Sequence, residues 1–329
     1  MEELIDGFPG QLTNALRIAS EAQLSSYDEG IGQVCISGLG GSGIGGTLVS
    51  EWTASEAKVP VHVNKDYQLP AWVGPGTLLI ISSYSGNTEE TLSALEEGII
   101  KNARIVCISS GGEVERIAGE RSLDHIKIPE GYPPRAAMGY SIVQLLRILT
   151  HHGVIPAHMD MEREVRAAAE LLELDQQPIK DHAKELADKI QGKRALIYAG
   201  SSYEGVAVRW RQQFNENAKT LCWHHALPEM NHNELVGWER GGEGVAVLML
   251  RNSDDHERTQ KRMELTKDFL KDRSAIWEDL WSRGESRIQR AFYLIHLGDH
   301  LSYHLAVLNG VDPIEVDVIE RFKKRLKEA

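Results

Sequence analysis

The chain is poor in cysteine. Only three occur in 329 residues, Cys35, Cys107 and Cys222, and each lies in or beside an apolar run. That pattern excludes a disulfide scaffold and reads as core thiols in a reducing compartment. No apolar run approaches the ~20 residues that span a bilayer. No basic run occurs outside the last few residues, and the formal net charge is −12, which points away from a nucleic-acid partner. The leading segment Met1-Glu2-Glu3-Leu4-Ile5-Asp6 is acidic and holds no apolar h-region. These absences predict a soluble, cytoplasmic protein that engages neither membrane nor nucleic acid. They leave room for a small anionic ligand, because local N–H groups decide that affinity.

What is present is enough apolar material, 42% of residues, for a sizeable core. The length suggests two domains or one large α/β unit. The organising stretch runs from Val34 to Trp52. Val34-Cys35-Ile36 reads as a buried strand. Gly38, Gly40, Gly41, Gly43, Gly45 and Gly46 follow, and helical spacing resumes at Thr47. A glycine turn opening a helix lets main-chain N–H groups approach an anion, most often a phosphate. Both Gly38-x-Gly40-x-x-Gly43 and Gly41-x-Gly43-x-x-Gly46 also satisfy the dinucleotide fingerprint. Walker A fails for want of a Lys-Ser/Thr pair. A tight turn without a ligand is the plain alternative.

Before the turn, residues 8–29 form an amphipathic lead-in. After it, apolar runs at 59–63, 77–81, 104–108 and 125–128 read as strands. Helical spacing covers 92–100 and 136–151. Strands alternating with helices predict a doubly wound parallel sheet, whose ligands sit at the carboxyl ends of strands. The run at 77–81 leads into Ser83-Tyr84-Ser85-Gly86-Asn87-Thr88. Hydroxyls there, with helix N-terminal N–H groups, could satisfy three phosphate oxygens without a metal. An N-cap and turn cluster would use the same residues.

Residues 160–191 are charged with helical spacing, and the pattern then repeats in outline. A strand spans 195–199, a glycine-containing turn 200–205 and a helix 206–218, with further strands at 221–223 and 245–250. This is duplication of pattern, without the glycine density or the hydroxyl cluster. One anion site in the first half is therefore expected. Arg287 to Asn309 is predicted as a long helix with Gly310 at C′. Pro313 is predicted to begin a last helix carrying Ile314, Val318, Ile319, Phe322 and Leu326 on one side.

Ser83 to Thr91 resembles the signature of sugar isomerase (SIS) domains, which bind phosphosugars. Gly38 to Gly46, Pro133-Pro134-Arg135-Ala136-Ala137, Phe214-Asn215-Glu216-Asn217-Ala218-Lys219 and Glu229-Met230-Asn231-His232-Asn233-Glu234 together resemble a narrower group. These are the bifunctional phosphoglucose/phosphomannose isomerases of the phosphoglucose isomerase superfamily. The resemblance implies two SIS-type doubly wound parallel-sheet subdomains flanked by helices. Their expected spans are 1–153 with the phosphate site, a helical connector 154–192, and 193–329 with the C-terminal helices.

It further implies aldose–ketose isomerisation through a cis-enediol, with no redox cofactor and no metal. Gly41, Ser42, Ser83, Ser85 and Thr88 would bind phosphate. Glu216 would be the base, and His232 would open the sugar ring from a neighbouring subunit, so a homodimer is implied. Lys323 in Ile319-Glu320-Arg321-Phe322-Lys323 would assist, with Lys324 as its rival. Arg135, after the rigid Pro133-Pro134, suits an enediolate or phosphate.

Two other classes stay open. One is a non-catalytic phosphosugar-binding protein. The other is a nicotinamide-dependent oxidoreductase with Asp66 on the ribose. His296, His300 and His304 recur at helical spacing beside Asp299. Their leucine neighbours argue for packing rather than a metal.

Overall fold

A computed structural model describes residues 1–27, 30–156 and 158–328. Positions 28 and 29 of the expected lead-in, and residue 329, lie outside the described residues. The chain divides into two compact units. One comprises Gly7–Glu173 and Gly284–Arg290; the other comprises Met1–Asp6, Leu174–Arg283 and Ala291–Ala329.

The short helix α1 (Glu2–Asp6) belongs to the second unit. The first unit begins with α2 (Phe8–Glu21), whose Leu12, Ala15, Leu16 and Ala19 are buried. Then come β1 (Gln33–Ser37), α3 (Gly40–Thr53), β2 (Val61–Asn64), β3 (Thr77–Ser82), α4 (Glu89–Ile100), β4 (Arg104–Ser109), α5 (Gly112–Arg121), β5 (Asp124–Lys127), α6 (Met138–His151) and α7 (Met161–Leu174). All five strands are parallel, in the order β2-β1-β3-β4-β5. Residues 78–81 of β3 are fully buried, as a central parallel strand covered on both faces requires. The order reverses between β1 and β3, and a crevice forms outside the carboxyl ends of strands at such a switch point.

The glycine stretch differs from expectation. Its turn is only Gly38 and Leu39, and Gly40 to Gly46 already lie inside α3. Packing overrides the weak helix propensity of glycine. A Cβ on Gly46 would lie 3.0 Å from the Ile36 side chain of β1, and one on Gly43 would lie 2.4 Å from the Gly38 carbonyl oxygen. The glycines let the helix sit against its own strand.

The second unit holds α8 (Gln176–Ile190), β6 (Arg194–Gly200), α9 (Glu204–Glu216), β7 (Trp223–Leu227), α10 (Glu234–Gly237), β8 (Gly242–Arg251), α11 (Glu257–Leu270), β9 (Ser274–Trp281), most of α12 (Arg287–Leu308), and α13 (Asp317–Lys327). The stretch 154–192 contributes α7 to one unit and α8 to the other. The second sheet is parallel in the order β7-β6-β8-β9. That reproduces β2-β1-β3-β4, so the repeated pattern is a repeated topology. Strand β9 carries no clean apolar run, and β7 begins at Trp223 rather than Leu221, which is 73% exposed. Gly310 has φ +65° and closes α12. The last helix begins at Asp317, four residues beyond Pro313, so Ile314 lies outside it.

The three cysteines are free and buried, and burial pushes each thiol up to about 12. Among the described residues, no helix is long and apolar enough to cross a membrane.

Candidate active site

In the first unit, three turns converge at the β1/β3 switch point. The turn after β1 leads into α3, which carries no acidic residue in its first turn. Its first-turn N–H groups and dipole therefore meet no carboxylate from that turn itself. The turn after β3 is tied to it, because the Tyr84 N–H donates to Ser42 Oγ at 3.1 Å. The third turn is a 3-10 turn over Pro134–Ala136. It packs so closely that a Cβ on Gly41 would lie 2.8 Å from the Pro134 carbonyl oxygen and 3.4 Å from the Arg135 nitrogen. The Tyr132 N–H donates to the Tyr84 hydroxyl at 2.8 Å and fixes that third turn to the second.

The structure thus gathers Gly41, Ser42, Ser83, Thr88 and Arg135 in one region. Ser42, Ser83 and Arg135 are buried. Ser83 Oγ–H donates to Thr88 Oγ1 at 3.1 Å. Ser85 is exposed at the tip, where its Oγ accepts the Asn87 N–H at 3.2 Å. Gly86 is required there: its φ is +67°, and a Cβ would meet the Gly111 carbonyl oxygen at 1.8 Å. Helix α4 differs from α3 in carrying Glu89 and Glu90 in its first turn. The anion-favouring elements are therefore α3 and the hydroxyls. Asp66 lies in the exposed bend after β2, where its carboxylate accepts the Tyr67 N–H at 2.7 Å.

In the second unit, Glu216 is the last residue of α9 and is half-buried. The helix beneath it is pinned from inside. Arg209 and Asp299 form a buried pair through two bonds at 3.1 and 2.8 Å. Trp210 Nε1–H donates to the Leu294 carbonyl at 2.8 Å. Asn217, next to Glu216, donates to Ser302 Oγ at 2.9 Å. Such paired buried groups favour one discrete arrangement of the helix end.

His232 ends a 3-10 turn over Glu229–His232 that follows the cis Leu227–Pro228 bond. Its ring is exposed, but its neighbours are tied down. Asn231 donates to Thr266 at 2.9 Å, and Asn233 to Glu229 at 2.7 Å. Glu234 accepts from the Tyr198 hydroxyl and lies 2.7 Å from His225 Nδ1. The Trp238 indole donates to that same hydroxyl at 3.0 Å. Burial and the nearby Arg211 push His224 down to about 4.

Lys323 and Lys324 lie on α13, which is exposed along its length; Phe322 is 67% exposed. His296 and His300 are buried edge to face, 4.6 Å between ring centroids. Burial pushes them down to about 3 and about 4, so both rings are neutral near pH 7. His300 Nε2 lies 3.6 Å from Asp6 Oδ1. Among the described residues, no group of three or more His, Cys, Asp or Glu is arranged to hold a metal.

Tyr84, Asn217, Lys219 and the Tyr198–Glu234–His225 set carry no functional signal in residue type alone. Several stand inside motifs quoted for their neighbours, which was the available signal.

Two parallel sheets of one strand order, the first ending in a glycine turn and a hydroxyl-lined turn, define an SIS-domain protein. A family model described as the bacterial phospho-glucose isomerase C-terminal SIS domain matches residues 179–326. The C-terminal domain of glucosamine-fructose-6-phosphate aminotransferase from Francisella tularensis superposes with a TM-score of 0.75 over 95% of this chain and 97% of that one. At 17% identity it shows the fold alone. The bifunctional phosphoglucose/phosphomannose isomerase of Caldicellulosiruptor bescii is 40% identical over 100% of this chain and 99% of its own length. The enzyme of the same name from Aquifex aeolicus is 38% identical over 88% of this chain and 89% of its own. The chain belongs to the bifunctional phosphoglucose/phosphomannose isomerase family.

Proposed function

We propose that this protein interconverts glucose 6-phosphate and mannose 6-phosphate with fructose 6-phosphate. The observation that carries the reading is 40% identity along the whole chain to an enzyme of that name, in a chain that gathers hydroxyls, an acid-free helix N-terminus and a buried arginine at one switch point. The roles divide between the units. In the first, Gly41, Ser42, Ser83, Ser85 and Thr88 hold the phosphate monoester, and Arg135 offsets charge on the enediolate. In the second, His232 and Lys323 open the sugar ring by proton transfer, and Glu216 moves a proton between C1 and C2. Mannose 6-phosphate becomes a substrate when rotation about C2–C3 presents the other face of the cis-enediol to the same acid.

We assign the ring-opening histidine to a neighbouring copy, in a homodimer. The exposure of His232 on a turn held at both sides supports this, because the turn is fixed and the ring on it is available to a partner. No step calls on a metal or a redox cofactor.

The test is a pair of coupled assays, fructose 6-phosphate formed from each aldose phosphate. Turnover of both is expected. Tight binding without turnover would instead make the chain a phosphosugar-binding protein. A fluorescence change on titrating NADH or NADPH would revive the oxidoreductase reading, which the family and the hydroxyl turn both oppose.

A further inference from the structure

Lys219 is an exposed lysine that the solvent does not own. Its ammonium donates to three main-chain carbonyls: Glu216 at 2.7 Å, Asp312 at 2.8 Å and Glu315 at 2.6 Å. An ammonium has three donors, so all are used. Each bond is charge-assisted, and the Glu216 carbonyl lies at the negative end of α9. The other two carbonyls belong to the link between α12 and α13.

The backbone at this position is unusual. Lys219 has φ +54°, a conformation that disfavours any residue with a Cβ. Glycine occupies the corresponding place after α12, at Gly310. Asn102 and Ser122, the other non-glycine residues with positive φ among those described, have short polar side chains suited to it. Around Lys219 the helix end is widened: the Thr220 N–H returns to the Phe214 carbonyl, six residues back, at 3.1 Å. Asn309 adds a second tie, donating to the Ala218 carbonyl at 3.0 Å and to Thr220 Oγ1 at 3.1 Å. The strained backbone is offset by three charge-assisted bonds that a glycine at this position could not make.

We propose that Lys219 is a positioning residue that locks the α9 terminus bearing Glu216 to the 312–315 link, and so sets Glu216 and the Lys323 helix in one register. This rests on the isomerase reading above. With its donors saturated, Lys219 takes no part in proton transfer or phosphate binding, and its effect passes through Glu216.

The test uses the full chain with Lys219→Met, which keeps the stem and removes the donors, and Lys219→Gly, which also relieves the backbone. Both should lower kcat by about 10- to 100-fold, as a small misplacement of a catalytic group does. KM for fructose 6-phosphate should stay within about two-fold, because the phosphate contacts are elsewhere. Propylammonium should restore part of the kcat of Lys219→Ala, which ties the loss to the missing ammonium rather than to the altered backbone. Amide exchange over 311–317 should speed up in every variant. Unchanged exchange, or faster exchange with wild-type kcat, overturns the proposal. An inactive wild type rejects the isomerase reading instead, and exchange then decides alone whether Lys219 holds the link.

Discussion

The two sheets share a strand order, yet their switch points are furnished in opposite ways. At β1/β3, Gly38 ends the strand against the Ser82 carbonyl, the following helix opens without an acid, and serine hydroxyls line the second turn. At β6/β8, Gly200 ends the strand against the Asp255 carboxylate; a Cβ there would lie 2.5 Å from Asp255 Oδ1. Asp255 Oδ2 accepts the Asn252 N–H at 3.2 Å, and Asp254 accepts the Tyr203 hydroxyl at 2.7 Å. The following helix, α9, opens with Glu204. The second crevice is occupied by carboxylates of its own chain, which repel a phosphate. Duplicated topology therefore yields one proposed anion site. On the proposed reading, the second unit supplies acid–base groups instead.

If the division of labour holds, the two units should respond to substitution in different kinetic parameters. Glu216→Gln should show the largest effect, a fall in kcat of about 10³-fold with KM little changed. Steady-state assays with fructose 6-phosphate check this, and a change confined to KM would break the comparison. Next is Ser85→Asp, which gives the first switch point the charge the second already has. Aspartate can still accept the Asn87 N–H, so the turn should fold. At this exposed tip the added charge costs about 3 kcal/mol against a phosphate dianion ~5 Å away at an effective dielectric of ~40, or about 100-fold in KM. An aspartate at the exposed start of the second sheet's own turn, Ser201→Asp, should leave KM unchanged. Smaller again is Ser83→Ala, where losing one hydroxyl should raise KM about 10-fold, in line with a hydrogen bond to a charged group.

How far the sequence reached follows the range of the interactions involved. Strands β1, β3 and β4 are contiguous apolar runs, and burial on both faces makes such runs necessary, so they were legible. Strand β9 was not: Glu278 and Asp279 interrupt it, and as an edge strand it need not be apolar. The start of α3 was hidden because glycine reads locally as a turn, while the packing against Ile36 that makes it helical is tertiary. In the site, the hydroxyl turn was readable from residue type and place. Glu216 was not distinguishable from any helix-end glutamate without its motif. Lys219 was out of reach because its partners are carbonyls 93 and 96 positions away, and carbonyls leave no trace in residue identity.

The smallest effect tests the carboxylates of the second crevice. Burial, then the neighbouring Asp254, pushes Asp255 up to about 6 from its ordinary 3.8. Between those values the folded chain holds a proton that the unfolded chain releases. The stabilising contribution of that proton is complete below about pH 4 and is lost as pH rises through about 6. At pH 8 the buried charge costs up to about 3 kcal/mol. Asp255→Asn removes that cost but accepts at one atom only, losing either the Asn252 N–H or the Ser202 hydroxyl now held at 3.3 Å. Each lost bond costs about 1 kcal/mol, and the introduced amide N–H must find a partner of its own. A net gain of about 1 kcal/mol at pH 8 follows, with no gain at pH 4, where the wild-type carboxyl is already neutral. Thermal melts of both proteins across that range should show the variant with the flatter profile. Parallel profiles would mean that Asp255 ionises as an ordinary carboxylate, so that its charge carries no burial cost in the second crevice.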